Sequence, residues 1–156
     1  MIVVVTGPIA SGKTTLVESL ARELRRAGRT AATLDRDDVY ELVEGSSATV
    51  GTEDRWRRAN RLTAAFARAM TDDGIDVVIV ESDDPIDGAL HVTLTAPVES
   101  ALERVQLDPT RVVSRDERFL RRHYADYRPL PADLTIDTAR TPLEAELQAV
   151  LAALQS

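Results

Sequence analysis

Gly7-Pro8-Ile9-Ala10-Ser11-Gly12-Lys13-Thr14, followed by Thr15, decides how this chain is read. The stretch fits G-x-x-x-x-G-K-[ST], a spacing that wraps the phosphates of a nucleoside triphosphate. Glycines let successive backbone N–H groups turn into one concavity, an anion nest. Lys13 adds a point charge for the β- and γ-phosphates, and the Thr14 hydroxyl is the candidate Mg²⁺ ligand. A helix opening at Lys13 aims its positive dipole end at the same phosphates. Gly7, Ala10, Ser11, Gly12, Lys13, Thr14 and Thr15 are therefore the candidate nucleotide-binding set.

The flanks have the setting this loop requires. Ile2-Val3-Val4-Val5 is a short β-branched run of the kind that forms a buried strand. Beyond the loop, Leu16, Leu20 and Leu24 recur at spacing four on a helix that ends near Gly28. Of the 19 lysine and arginine residues, Lys13 is the only lysine.

With 156 residues the chain is expected to form one domain, residues 1–156. The absence of cysteine excludes disulfides and thiolate metal sites and suits a reducing compartment. The chain opens directly into a strand, so no signal peptide is expected, and no apolar run approaches the roughly 18 residues of a membrane span. These features lead to an expected cytoplasmic location without a membrane partner. A net charge of −7 provides no global field for nucleic acid, although a local basic groove stays open as a reading.

Outward from the loop, strands alternate with helices. Thr30 to Leu34 reads as a second strand ending in Asp35-Arg36-Asp37-Asp38, and Val39 to Val43 as a helical turn stopped by Gly45-Ser46-Ser47. A long helix is expected from Thr52, its potential cap, with Trp56, Ala59, Leu62, Phe66, Ala69 and Met70 as the apolar stripe and Gly74 as its end. Ile75 to Val80 is a third strand, running into Glu81-Ser82-Asp83-Asp84. Leu90 to Leu94 is a fourth, and Pro97 opens a helix to about Val105. Gln106 to Ser114 reads as a loop, Arg115 to Tyr127 as a helix, and Leu134 to Ile136 as a fifth strand. Pro142 opens the last helix, with Leu143, Leu147, Val150, Leu151 and Leu154 facing the core. This alternation predicts an α/β fold with a mostly parallel sheet and helices on both faces.

In such a sheet ligands sit beyond the carboxyl ends of the strands. Two of the loops there, 35–38 and 81–84, are crowded with carboxylates that could take a proton from an attacking hydroxyl or hold Mg²⁺. His91 and His123 are isolated and read as surface or packing residues, and Trp56 as core or pocket wall. Arg55, Arg57, Arg58 and Arg61 line either an acceptor site or a solvated helix face.

Over nearly its whole length the chain resembles the small P-loop kinases typified by shikimate, gluconate and adenylylsulfate kinases. Chloramphenicol phosphotransferases and the kinase domain of polynucleotide kinases are similar. The resemblance implies a three-layer P-loop NTPase fold with five strands in the order 2-3-1-4-5 and a short lid at about residues 106–116. Asp35-Arg36-Asp37 matches the group's Asp-x-Asp motif, which implies that Asp37 is the base. Related kinases of anionic acceptors carry an arginine three residues later, where this chain has Tyr40. Arg104 and Arg111 are spaced as in shikimate kinases, which implies that Arg104 lies against adenine and that Arg111 reaches the phosphates from the lid; Arg115 competes for that lid role. Ile136-Asp137-Thr138 with Thr141-Pro142 resembles the stretch lining the adenine pocket. Glu81 stands in a position similar to that of a Walker B acid.

The expectation is an ATP- and Mg²⁺-dependent kinase that phosphorylates a hydroxyl of a small molecule. Lys13, Asp37 and Arg111 are its catalytic residues, Asp37, Tyr40 and Glu81 contact the acceptor, and Thr14 holds the metal. A kinase of a nucleoside or nucleic-acid 5′-hydroxyl and a nucleotide-dependent switch protein are the alternatives, and the oligomeric state stays open.

Overall fold

The β-branched run at the start of the chain forms β1 (Ile2–Thr6), buried throughout, in the middle of a five-stranded sheet. The computed structural model describes residues 1–43, 52–108 and 113–155. β3 (Asp76–Val80) and β4 (Leu90–Thr95) flank β1, and β2 (Ala31–Asp35) and β5 (Leu134–Asp137) form the edges. The order is β2-β3-β1-β4-β5 and the pairings are parallel, with Val5 opposite both Val80 and Val92. This is the P-loop NTPase sheet expected from the sequence. Its central strands are continuous apolar runs because helices cover both faces.

Alternate residues of the strands serve the two faces. Val3, Val5, Val78, Val92 and Leu94 pack on α1 (Lys13–Arg26) and α6 (Leu143–Ala153) through Leu16, Leu20, Leu147 and Val150. Ile2, Val4, Val77 and Ile79 pack on α3 (Thr52–Asp72) through Ala67, Ala64 and Met70. α4 (Val98–Leu107) and α5 (Glu117–Asp126) make a smaller third cluster, in which Ala101, Val105 and Leu120 meet Ile9 and Ala10 of the phosphate loop.

Three local readings change. The inward face of α3 carries Ala59, Asn60, Thr63 and Ala67, while Leu62 and Phe66 are 39% and 60% exposed. Small side chains bring the helix close to the sheet, so the stripe of larger apolar residues is turned partly outward. α4 continues through Gln106 and Leu107, which were expected in a loop. α5 begins at Glu117 rather than Arg115, because Asp116 caps it by accepting hydrogen bonds from the N–H groups of Arg118 and Phe119. Val113–Arg115 forms a single 3-10 turn before it. The expected stop at Gly45-Ser46-Ser47 and the lid residue Arg111 lie outside the described residues. Among the described residues no helix is long and apolar enough to cross a membrane.

Since the strands run parallel, their carboxyl ends share one edge of the sheet. The loops after Thr6, Asp35, Val80 and Asp137 meet there.

Candidate active site

The phosphate loop turns where its sequence allows. At Gly7 an added Cβ would lie 2.6 Å from Ser11 Oγ and 2.7 Å from the Leu94 carbonyl oxygen, so no side chain fits. Ala10 and Gly12 have φ values of 61° and 102°, in the left-handed region. α1 then starts at Lys13 with no side-chain cap and no acid in its first turn. Its leading N–H groups are left for an anion, which is the arrangement the motif predicts.

Lys13 Nζ lies 2.6 Å from Gly7 O, 3.1 Å from Pro8 O and 3.2 Å from Glu81 Oε2. Glu81, directly after β3, has φ of 70° and is half-buried. A non-glycine residue held in this region is strained and persists only where its surroundings impose it. Burial pushes the Glu81 carboxyl up from its ordinary pKa, and the charges of Lys13 and Arg36 oppose that rise.

Asp35 caps α2 (Arg36–Leu42) by accepting the Asp37 N–H at 2.9 Å. Its pKa is raised mainly by burial, against the pull of that hydrogen bond. The cap leaves Asp37, 68% exposed, facing a cavity of about 210 Å³ shared with Lys13, Thr14 and Asp35. Oxygen donors from Thr14, Asp35 and Asp37 therefore meet in one place. They fit Mg²⁺, which takes few ligands from protein and keeps water and phosphate oxygens for the rest.

A second cavity, of about 350 Å³, opens beyond the loop, with Trp56, Glu81, Asp83, His123 and Tyr127 among its walls. Arg36 is its arginine among the described residues, and it is engaged with Asp83 at 2.5 Å and Asp37 at 3.4 Å. Its guanidinium also covers one ring face of Trp56 at 4.5 Å, while Tyr40 stacks on Trp56 at 3.8 Å and Arg55 covers Tyr40 at 4.2 Å. Tyr40, expected to contact the acceptor, thus supports Trp56 and is not among the residues lining this cavity. Arg57, Arg58 and Arg61 are exposed.

Three residues of this region, His123, Tyr124 and Asn60, carry more than their sequence reading implied. His123 Nε2 accepts the Ile9 N–H at 3.1 Å, and the Tyr124 hydroxyl donates to Ile9 O at 2.8 Å. α5 therefore grips the phosphate loop at both polar groups of one residue. Burial, helped by the charge of Lys13, lowers the His123 pKa and favours the neutral imidazole that such an acceptor requires; burial pushes the Tyr124 phenol up to about 12. Asn60 donates to Asp83 Oδ2 at 2.7 Å and accepts the Asp83 N–H at 3.2 Å, tying α3 to the acidic loop. The signals were a polar residue inside the α3 stripe and the adjacent pair His123-Tyr124.

On the other side of the loop Arg104 donates to Ala10 O at 3.1 Å, Thr138 Oγ1 at 2.9 Å and Thr138 O at 2.8 Å. Arg104, Thr138, Thr141, Pro142 and Glu146 border a cavity of about 340 Å³ together with Ser11, Gly12 and Thr15. His91 is buried in β4, its Nε2 near both polar backbone atoms of Ile86, away from these cavities.

The sequence matches the family model described as "AAA domain" over residues 2–87, more than half of the chain. The chain belongs to the AAA domain family. No curated protein matches it. Three solved structures resemble this AAA domain chain along nearly its full length. A sugar kinase from a Janibacter species has a TM-score of 0.72 at 23% identity, covering 99% of this chain and 94% of that one. The Mycobacterium tuberculosis APS kinase, solved with AMPPNP and APS, has a TM-score of 0.69 at 20% identity, covering 99% and 97%. The Acinetobacter baumannii shikimate kinase, solved with shikimate, has a TM-score of 0.64 at 22% identity, covering 99% and 92%. The AAA domain chain has the fold of the P-loop small-molecule kinase group.

Proposed function

We propose that the chain, acting as a single domain, transfers the γ-phosphoryl group of ATP to a hydroxyl of a small molecule. The observation that carries this reading is that Lys13 and Asp37 line both the cavity at the phosphate loop and the adjoining one walled by Trp56 and Glu81, while a further cavity opens from Ser11, Gly12 and Thr15 toward Arg104 and Thr138. One side suits the base and ribose of ATP, next to Arg104 and Thr138. The other suits an acceptor, next to Asp37, Trp56 and Glu81.

In this mechanism the loop N–H groups and Lys13 hold the phosphates, and Lys13 exchanges Glu81 and its carbonyl partners for phosphate oxygens. Thr14 and Asp35 would hold Mg²⁺, which would neutralise charge on the phosphates. The acceptor hydroxyl oxygen bonds to the γ-phosphorus, the bond from phosphorus to the bridging oxygen breaks, and ADP leaves. The hydroxyl proton passes to the Asp37 carboxylate. Arg111, on a lid around residues 106–116, is proposed to reach the transferred group.

The acceptor is neutral or cationic. Asp37, Glu81 and Asp83 border its cavity, and Arg36 is already engaged with two of them. An anion there meets like charges, each pair costing on the order of 1–4 kcal/mol at 4 Å for dielectrics between water and a protein surface. The test is ADP release from ATP and Mg²⁺ with pooled sugars, nucleosides and amino alcohols, for the wild type and Lys13→Ala. Acceptor-dependent release that falls by about 10²–10³ in the variant is expected. ATP turnover indifferent to every acceptor would point to a switch protein instead.

A further inference from the structure

Glu146 is the fourth residue of α6 and only 6% exposed, although it is a carboxylate; Glu144, two residues earlier, is exposed. Its helix face continues into the core through Leu147 and Val150, so the residue is carried inward with them. Burying a charged group is costly unless hydrogen bonds replace the lost water. Among the described residues no group donates a hydrogen bond to the Glu146 carboxylate. The charge that acts on it most is Arg104, whose own donors are directed at Ala10 and Thr138. Glu146 lines the cavity of about 340 Å³ that begins at Ser11, Gly12 and Thr15 of the phosphate-loop region. A largely buried carboxylate with unused acceptor capacity, open to a cavity that continues from a phosphate site, can take an N–H donor from a ligand there.

Purine bases differ in what they present there. Adenine carries an exocyclic amino group at C6, a donor, whereas 6-oxopurines put a carbonyl lone pair in the same place. We infer that Glu146 reads the C6 amino group of adenine and is the residue that selects ATP against 6-oxopurine triphosphates. This rests on the reading that a nucleoside triphosphate occupies the phosphate loop with its base in this cavity. Burial raises the Glu146 pKa while the Arg104 charge opposes the rise, and a donor brought against the carboxylate acts in the same direction as Arg104.

The experiment is equilibrium binding of ATP, ITP and GTP by calorimetry to the full chain, wild type, Glu146→Ala and Glu146→Gln. The wild type is expected to prefer ATP by about tenfold or more, the worth of a hydrogen bond to a charged group. In Glu146→Ala the ratio should approach unity, chiefly through loss of ATP affinity. Glu146→Gln keeps the shape and adds an amide donor, so its preference should move toward ITP and GTP. ITP bound by the wild type as tightly as ATP overturns the inference, as does an equal weakening of all three nucleotides in both variants. GTP bound more tightly than both ATP and ITP would mean that the C2 amino group is read, and overturns the adenine assignment. Failure of all three to bind the folded wild type removes the nucleotide reading itself and the inference with it.

Discussion

On the side of the phosphate loop proposed for the nucleotide base, Arg104 is held by neutral acceptors, the carbonyls of Ala10 and Thr138 and the Thr138 hydroxyl. On the side proposed for the acceptor the polar groups hold each other as charged pairs, Lys13 with Glu81 and Arg36 with Asp83 and Asp37. The first kind of contact fixes a wall. The second leaves groups that can exchange partners when a substrate arrives, because an ion pair at a partly wetted edge is worth little net energy. The contrast teaches that the two cavities differ in what a substitution should do: change affinity on one side, change the chemical step on the other.

The sharpest way to break that comparison is Asp37→Asn, which keeps shape and removes charge. Phosphoryl transfer measured in single turnover should fall by about 10²–10⁴, with ATP affinity within about threefold of wild type. Asp38→Asn should stay near wild type, since Asp38 is exposed and lines none of these cavities; a larger loss there would move the base by one residue.

Arg104→Ala should do the reverse. It removes three hydrogen bonds that join α4, the phosphate loop and the loop after β5. ATP binding should weaken by about tenfold, with the acceptor KM unchanged. A variant with normal ATP affinity and altered acceptor KM would erase the distinction between the two sides.

A matched acceptor series differing only in charge, for instance an amino sugar, its neutral parent sugar and the corresponding sugar acid, sharpens the comparison further. kcat/KM is expected to fall from cation to anion by about fivefold to tenfold overall, after screening of exposed charges. Preference for the acid would assign Arg36 to the acceptor instead of to Asp83.

The smallest effect concerns His123. Its folded pKa lies below the ordinary 6.5, so between those two values the unfolded chain takes a proton that the folded chain refuses. Stability from this group is complete above about 6.5 and declines as pH falls through the lowered folded value. Tm should therefore drop over that window in the wild type and stay flatter in His123→Gln, whose amide oxygen can still accept the Ile9 N–H. Identical profiles for the two proteins would remove His123 from the control of the loop.

The central strands and the helix after the phosphate loop were legible because β-branched runs and leucines at spacing four are short-range signals. Thr138 and Arg104 were found through a resemblance of spacing, and the structure does bring them together. The inward face of α3 was read correctly at Ala59 and Met70 but not at Leu62 and Phe66, which were included for their apolar size, whereas close packing on the sheet selected Thr63 and Ala67. Tyr40 was expected at the acceptor on its position in the chain; the structure stacks it on Trp56, sixteen residues away across two elements, a contact that the sequence did not announce.

By itself the sequence determined the phosphate loop, the strand-loop-helix around it and the parallel α/β class, since each depends on backbone freedom at a few glycines and on local periodicity. Tertiary structure alone decided that His123 and Tyr124, 114 and 115 residues beyond Ile9, grip the phosphate loop. It alone decided that Asn60 ties down Asp83 and that the Glu146 carboxylate is buried beside a cavity. Such contacts depend on how helices from distant parts of the chain settle on one sheet edge, and no local pattern of residues encodes that settling.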